Sequence, residues 1–308
     1  MSLGLTKNST NPACSRGCFK ALAYLLGSAL VTILVLSAGA LYLQVLYVTT
    51  PVRVRNVGLL PGLDYENVTL TTADGVTISG WYVPGTQPNG IVLVHGIHAN
   101  RAYLIPQAKI LAEAGYHLLL IDLRGHGRSG GHMMTYGYRE ALDVQAAVDF
   151  LLAQPAVEQV AALGHSLGAA AVVRAAATDP RLKALVIQSS YSSLWRAIDD
   201  TFRNFSIFPK WPFAPLIVTL AEFRTGLEAD QVDSARDLAG MPTRPVLIIH
   251  SAADPMFPPH HAREMYSAAR SPKELWLIEG LGHVNPMYRH EAEYQARVLD
   301  FFRNAFTD

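Results

Sequence analysis

Cysteine is almost missing from this chain: two occur in 308 residues, Cys14 and Cys18, both ahead of the first long apolar run. The remainder therefore has no intramolecular disulfide, no cysteine-based zinc site and no thiol nucleophile, and oxygen and nitrogen groups must carry any chemistry. Charge is also scarce. Only 16% of residues are charged, 25 basic against 25 acidic, and half are apolar, which excludes general intrinsic disorder. No block of Lys or Arg interrupts that balance, so no electrostatic footprint for nucleic acid is present. Internal repeats and low-complexity tracts are absent as well. The length suits one large α/β domain or two small ones.

What is present begins with an uncharged stretch, residues 21–52. Roughly 20 apolar residues cross a bilayer core, so residues 21–49 are long enough for a transmembrane anchor behind a tail at 1–20. Lys7, Arg16 and Lys20 precede the run, while Arg53 and Arg55 after it are soon diluted by Asp64 and Glu66. That asymmetry predicts a cytoplasmic N-terminus with the rest of the chain across the membrane. Ala38-Gly39-Ala40 also resembles a signal-peptide cleavage site, which would release a secreted protein, and a buried soluble helix is the third reading. The apolar run continues to Val48, which favours the uncleaved anchor. Cys14 and Cys18 flank it as unmodified thiols or as palmitoylation sites. Sequons begin at Asn8, Asn67 and Asn204, a pattern short enough to arise by chance. Residues 50–65, with Pro51, Gly58, Pro61 and Gly62, read as a linker.

From there, strand-like and helix-like stretches alternate through residues 66–308. Strands are expected at 68–72, 76–83, 90–94, 117–121, 159–163, 184–188, 245–250 and 274–278. The last six are largely continuous apolar runs, the signature of strands buried on both faces of a parallel sheet. Helical periodicity marks 105–114, 139–152, 167–177, 259–269 and 291–302. Two alternating strands followed by βα units predict an α/β fold: a mostly parallel sheet with antiparallel N-terminal strands and helices on both faces. Ligands in such sheets sit beyond the carboxyl ends of the strands.

Gly164-His165-Ser166-Leu167-Gly168 stands where one of these strands meets an Ala-rich helix. A sharp strand-to-helix turn strains the serine backbone, and the flanking glycines relieve the crowding. A serine hydroxyl needs a base, and the base an orienting acid. Asp254 and His283 follow in that order, each just after a strand, on the sheet edge that carries Ser166. Proline at 255 keeps Asp254 out of helix. Upstream, His95-Gly96-Ile97-His98 follows the strand at 90–94; the Ile97 amide can pair with that of Leu167 as two oxyanion donors. Two histidines with no carboxylate in the motif make no metal site, and His126, His132, His260 and His261 read as structural for the same reason. No metal or other cofactor is expected.

These motifs, together with Asp122-Leu123-Arg124-Gly125-His126-Gly127-Arg128-Ser129, resemble the α/β-hydrolase superfamily in its serine-hydrolase branch over residues 65–306. Membrane-anchored, monoacylglycerol-lipase-like ester and amide hydrolases are similar. The resemblance implies Ser166 as nucleophile, His283 as general base and then acid, Asp254 as orienting acid, and Ile97 and Leu167 as oxyanion amides. His95, Gly96, Gly164 and Gly168 would support them. It also implies that Asp122 ties a structural turn; Arg124 and Arg128 read as packing or ion-pair residues, and Asp199 and Asp200 lie too far into the next segment to orient the base. A glycine is usual in the family where Ser251 stands. A cap insertion is expected at 191–244, and its apolar residues, among them Trp195, Phe202, Phe205, Ile207, Phe208, Trp211, Phe213, Leu216, Ile217 and Leu220, either pack the cap or wall a small hydrophobic acyl substrate. Pro209, Pro212 and Pro215 predict a short, irregular cap. A serine peptidase of the same fold and a non-catalytic binding protein are the competing readings.

Overall fold

In the computed structural model, residues 12–206, 209–283 and 286–307 are described. Lys7, Asn8, Ile207 and Phe208 lie outside the described residues, as do the side chains of Cys14, Arg16 and Cys18. Helix α1, Pro12–Thr49, starts earlier than the apolar run alone suggests. The chain forms two compact units, Met1–Leu46 and Tyr47–Asp308. Among the described residues one helix, Phe19–Thr49, is long and apolar enough to cross a membrane, and its apolar window is entirely unburied. A membrane span and a signal sequence both have these properties.

The second unit is built on one eight-stranded sheet: β1 (Glu66–Thr71), β2 (Thr77–Val83), β3 (Asn89–Val94), β4 (His117–Ile121), β5 (Gln159–His165), β6 (Leu182–Gln188), β7 (Val246–Ser251) and β8 (Lys273–Ile278). Their spatial order is β1-β2-β4-β3-β5-β6-β7-β8. β1 and β2 pair antiparallel, as do β2 and β4, and every later pair is parallel. β4 and β7 are buried along their whole length. Two-sided burial explains the unbroken apolar runs: each alternate side chain meets a different helical layer.

One layer comprises α3 (Glu140–Leu152), α4 (Leu167–Thr178) and α8 (His260–Ala268), whose Val144, Val148, Val172 and Met265 pack on Val92, Ile121 and Ile187. The other comprises α2 (Ile105–Glu113) and α9 (Glu291–Thr307), with Leu111, Tyr294 and Phe302 against Ile91, Leu120 and Ile249. This is the α/β-hydrolase fold.

Between β6 and β7 the chain forms α5 (Leu194–Phe205), α6 (Lys210–Thr225) and α7 (Ser234–Gly240). The cap is thus more helical than its prolines predict. Pro212 follows a break at Trp211, whose φ of −98° and ψ of 132° are not helical. Prolines gathered at the start of a helical run remove few intrahelical hydrogen bonds, because the first amides have no acceptor within the helix.

Candidate active site

Ser166 sits between the end of β5 and the first residue of α4, with φ 54° and ψ −117°. A side chain in that region is strained by roughly 1–3 kcal/mol, so the surrounding chain must impose it. Close packing does so. A Cβ at Gly164 would fall 2.5 Å from the Ala169 Cα, and one at Gly168 would fall 2.4 Å from the carbonyl oxygens of Val94 and His95. The two glycines let α4 start hard against the ends of β3 and β5, which lifts Ser166 above the sheet.

His283, on the loop after β8, reaches back to this serine. Its Nε2 lies 3.1 Å from Ser166 Oγ and its Nδ1 2.7 Å from Asp254 Oδ2. Asp254, on the loop after β7, uses its other oxygen to accept the amides of Met256 at 2.9 Å and Phe257 at 3.0 Å. Burial alone would push its carboxyl up, but the bond from His283, the backbone amides and nearby His250 bring it below the usual carboxylate value. Asp254 is therefore a fixed anion, and His283 Nδ1 is the donor to it. His250 lies 3.9 Å from the same carboxylate yet donates Nε2–H to the Phe257 carbonyl at 2.7 Å. The Phe257 ring meets the His283 ring edge-on at 5.1 Å and limits its swing. Ser251, at the position where the family usually has glycine, accepts the Ala253 amide through Oγ at 3.1 Å and so helps close the acid turn.

The loop after β3 is braced by a buried imidazole. His95 Nδ1 donates to the Gly96 carbonyl at 2.6 Å, while Nε2 accepts the Leu123 amide at 3.1 Å. Burial, with His126 beside it, holds this ring neutral by lowering its pKa to about 3. The Gly96 carbonyl and the Ile97 N–H belong to one planar trans peptide, so pinning the oxygen also fixes the direction of the amide. Gly96 leaves room for Ser166: a Cβ there would lie 3.1 Å from the Ser166 Cβ. Leu167 opens α4, where amides have no intrahelical acceptor, and Ile97 is half-buried on the loop after β3.

Other groups behave as braces. Asp122 accepts the amides of Arg101 and Arg128, both at 2.8 Å, and pairs with the Arg101 guanidinium at 2.8 Å. Arg124 pairs with Asp74 at 2.6 Å and Asp143 at 2.8 Å. Arg128 contributes through its backbone.

Some neighbours carry no motif that would expose them in the sequence. His165 is wedged between Tyr103 Oη at 3.2 Å and Gln188 Nε2 at 3.1 Å, and Gln188 in turn accepts from Tyr294 at 2.9 Å. Its pKa is lowered to about 3 by burial and by His283, whose ring centre is 5.7 Å away. A neutral ring there adds no charge to compete with a protonated His283.

Asp200, His260 and His261 also converge, with one ligand-type atom from each within 4.8 Å of the others. Asp200 thus pairs with histidines, though not with His283. His261 Nδ1 accepts the Ser192 amide at 3.1 Å, so its proton is on Nε2, 3.1 Å from Asp200 Oδ2. An Nε2 that carries a proton offers no lone pair to a cation, so His261 cannot ligate through it, although neither that atom nor Asp200 Oδ2 makes a hydrogen bond.

A family model described as the alpha/beta hydrolase fold matches residues 89–213. The chain is 26% identical over 239 residues to the uncharacterized protein YqkD of Bacillus subtilis, covering 76% of this chain and 78% of that one. It is 29% identical over 226 residues to the uncharacterized protein Rv2307c of Mycobacterium tuberculosis, covering 72% and 73%. Among solved structures, the esterase Pf2001 of Pyrococcus furiosus superposes with a TM-score of 0.68 at 25% identity, over 83% of this chain and 98% of that one.

Proposed function

Because this chain belongs to the α/β-hydrolase superfamily, we propose that it is a serine hydrolase cleaving a carboxylic ester, thioester or amide with a hydrophobic acyl group, and that α1 is its membrane anchor. The observation that carries the reading is the contiguous hydrogen-bonded line from Ser166 Oγ through His283 to Asp254, with separations of 3.1 Å and 2.7 Å.

Chemistry follows from the proton positions. Asp254 holds the proton of His283 on Nδ1, leaving the Nε2 lone pair to take the Ser166 proton as Oγ attacks the acyl carbon. The carbonyl π pair moves onto oxygen, where the Ile97 and Leu167 amides would stabilise it. Collapse breaks the bond to the leaving group, which takes the proton from His283 Nε2 and leaves an acyl-Ser166 ester. Water then attacks that ester with His283 again as base, releasing the acid and free Ser166. The esterase among the structural relatives supports ester substrates. The apolar cap supports a hydrophobic acyl chain, and Lys7, Arg16 and Lys20, ahead of the apolar run, support a cytoplasmic N-terminus.

A fluorophosphonate probe should label the full chain at Ser166, and Ser166→Ala should abolish labelling while lowering kcat by about 10⁶. No labelling of folded protein would remove the reading. Turnover of aminoacyl anilides with no turnover of p-nitrophenyl acyl esters would move it to a peptidase. Protease protection of residues after Arg53 in intact cells reports the topology.

A further inference from the structure

The cap helix α6 turns its larger apolar side chains outward. Its buried positions, Ala214, Val218, Ala221 and Thr225, recur every three or four residues and carry small groups. On its outer side Leu216 is 43% and Phe223 91% exposed, and Trp211 at its N-terminal break is 76% exposed. No charged residue occurs from 211 to 221. A face of large apolar side chains bare of charge marks a surface made to be covered.

The same helix is tied to the point where α1 ends. Arg224 donates from Nε to Thr49 Oγ1 at 3.0 Å and from Nη2 to Thr50 Oγ1 at 3.4 Å. Tyr136 Oη donates to the Val48 carbonyl at 2.6 Å. Just beyond, the Val52 amide donates to His98 Nδ1 at 3.0 Å, Arg53 Nη1 to the Ser129 carbonyl at 2.7 Å, and Asn100 Nδ2 to the Val54 carbonyl at 3.1 Å. The segment that leaves a 31-residue apolar helix is thus fastened to α6 and to the loop carrying Ile97.

We propose that α6 lies in the membrane interface, with its Trp211, Leu216 and Phe223 side covered by lipid. This rests on α1 being the anchor and deepens the hydrolase reading by making its substrate an acyl ester resident in the bilayer. Residues 48–50, where α1 ends, belong to the same compact unit as α6, and the bonds from Arg224 keep the C-terminal end of α6 beside them. At its two ends Lys210 pairs with Asp199 and Arg224 bonds Thr49 and Thr50, so the outward apolar side chains, not free cations, carry the argument. On its inner side Val218 shares a cluster with Phe257, the residue packed on His283. One helix thus carries both the outward apolar side chains and an inner contact with the packing around His283.

The test uses the full chain in phosphatidylcholine–phosphatidylglycerol vesicles, with Cys14→Ser and Cys18→Ser to remove the native thiols. Phe223→Cys and, as an exposed control, Glu158→Cys are each reacted with a water-soluble maleimide on both sides of the bilayer, and rates are scaled to those of the denatured chains. Position 223 should react at least about tenfold more slowly than 158, since burying one large apolar group biases its environment by that factor or more. Equal rates would overturn the proposal. So would extraction of the chain by alkaline carbonate, which removes the anchor, and so would a 223–223 disulfide between copies, which assigns the surface to a second chain. Phe223→Asp, at a position 91% exposed, should leave the rate on a short soluble ester unchanged and lower that on a vesicle-embedded one at least about tenfold. A chain that labels as expected but cleaves no ester would sink the hydrolase reading and leave the membrane docking intact.

Discussion

Replacing Asp254 by Asn tests the candidate site through one proton. Two backbone amides, from Met256 and Phe257, converge on Oδ1 and cannot turn away. The amide oxygen of an asparagine must therefore take the Oδ1 place, which leaves its NH₂ group where Oδ2 now accepts from His283 Nδ1 at 2.7 Å. A donor facing Nδ1 forces the imidazole to put its own proton on Nε2. That proton then points at Ser166 Oγ, and the base is lost while every heavy atom stays in place. Loss of the productive tautomer is expected to lower kcat by about 10⁴, or roughly 5 kcal/mol of barrier. Stopped-flow hydrolysis of p-nitrophenyl butyrate by both proteins measures it, with a thermal melt to verify folding. Retention of kcat within about tenfold would refute the tautomer argument. The same variant carries a stability signature. Asp254 is more acidic folded than unfolded, so its ionised form stabilises the fold above the unfolded carboxyl value of about 3.9, and that contribution is lost as pH falls through the lower folded value. Asp254→Asn should flatten the acid limb of the stability curve.

Three further changes probe the supports. Gly168→Ala sets a methyl against two carbonyl oxygens 2.4 Å away, and should destabilise by roughly 3 kcal/mol and suppress fluorophosphonate labelling of Ser166; a normal melt with full labelling would refute the close-packing account. Arg101→Ala leaves the Asp122 carboxylate, wholly buried, without its cation, and should cost about 3–5 kcal/mol in urea unfolding. His95→Ala frees the Gly96 carbonyl and with it the Ile97 amide. The loss of one oriented donor predicts a drop of about 10²–10³ in kcat with little change in KM, read from steady-state kinetics on the folded variant.

The sheet was legible because its inner strands are buried on both sides, so that 117–121 and 245–250 appear as bare apolar runs whatever their neighbours. The turn at Ser166 was legible because close approach of α4 admits only glycine at 164 and 168. By contrast, Tyr103, Gln188 and Tyr294 meet around His165 from three separate elements, and no spacing within the chain records that meeting. The distance of Asp200 in sequence from the strand ends hides its approach to His260 and His261, which α5 brings about. The segment between β6 and β7 is more helical than its prolines predict for a local reason: a proline near the start of a helix sits where the missing N–H matters least.

The arrangement of strands explains why groups so far apart in the chain meet at one edge of the sheet. β3 and β5 are neighbours, so the loop bearing Ile97 and the turn bearing Ser166 emerge side by side with no contribution from the rest of the sheet. Asp254 and His283 emerge from β7 and β8, separated from β5 by β6. Asp254 must therefore reach across β6, and His283 across β6 and β7, and each loop has its own stiffening: the Asp254 turn is closed by Ser251, and His283 is confined by Phe257 on one side and His165 on the other. Rigidity on the nucleophile side comes from backbone packing, and on the acid–base side from ring contacts and hydrogen bonds. Substitutions in the first set should act through folding, and those in the second through the position of a single imidazole.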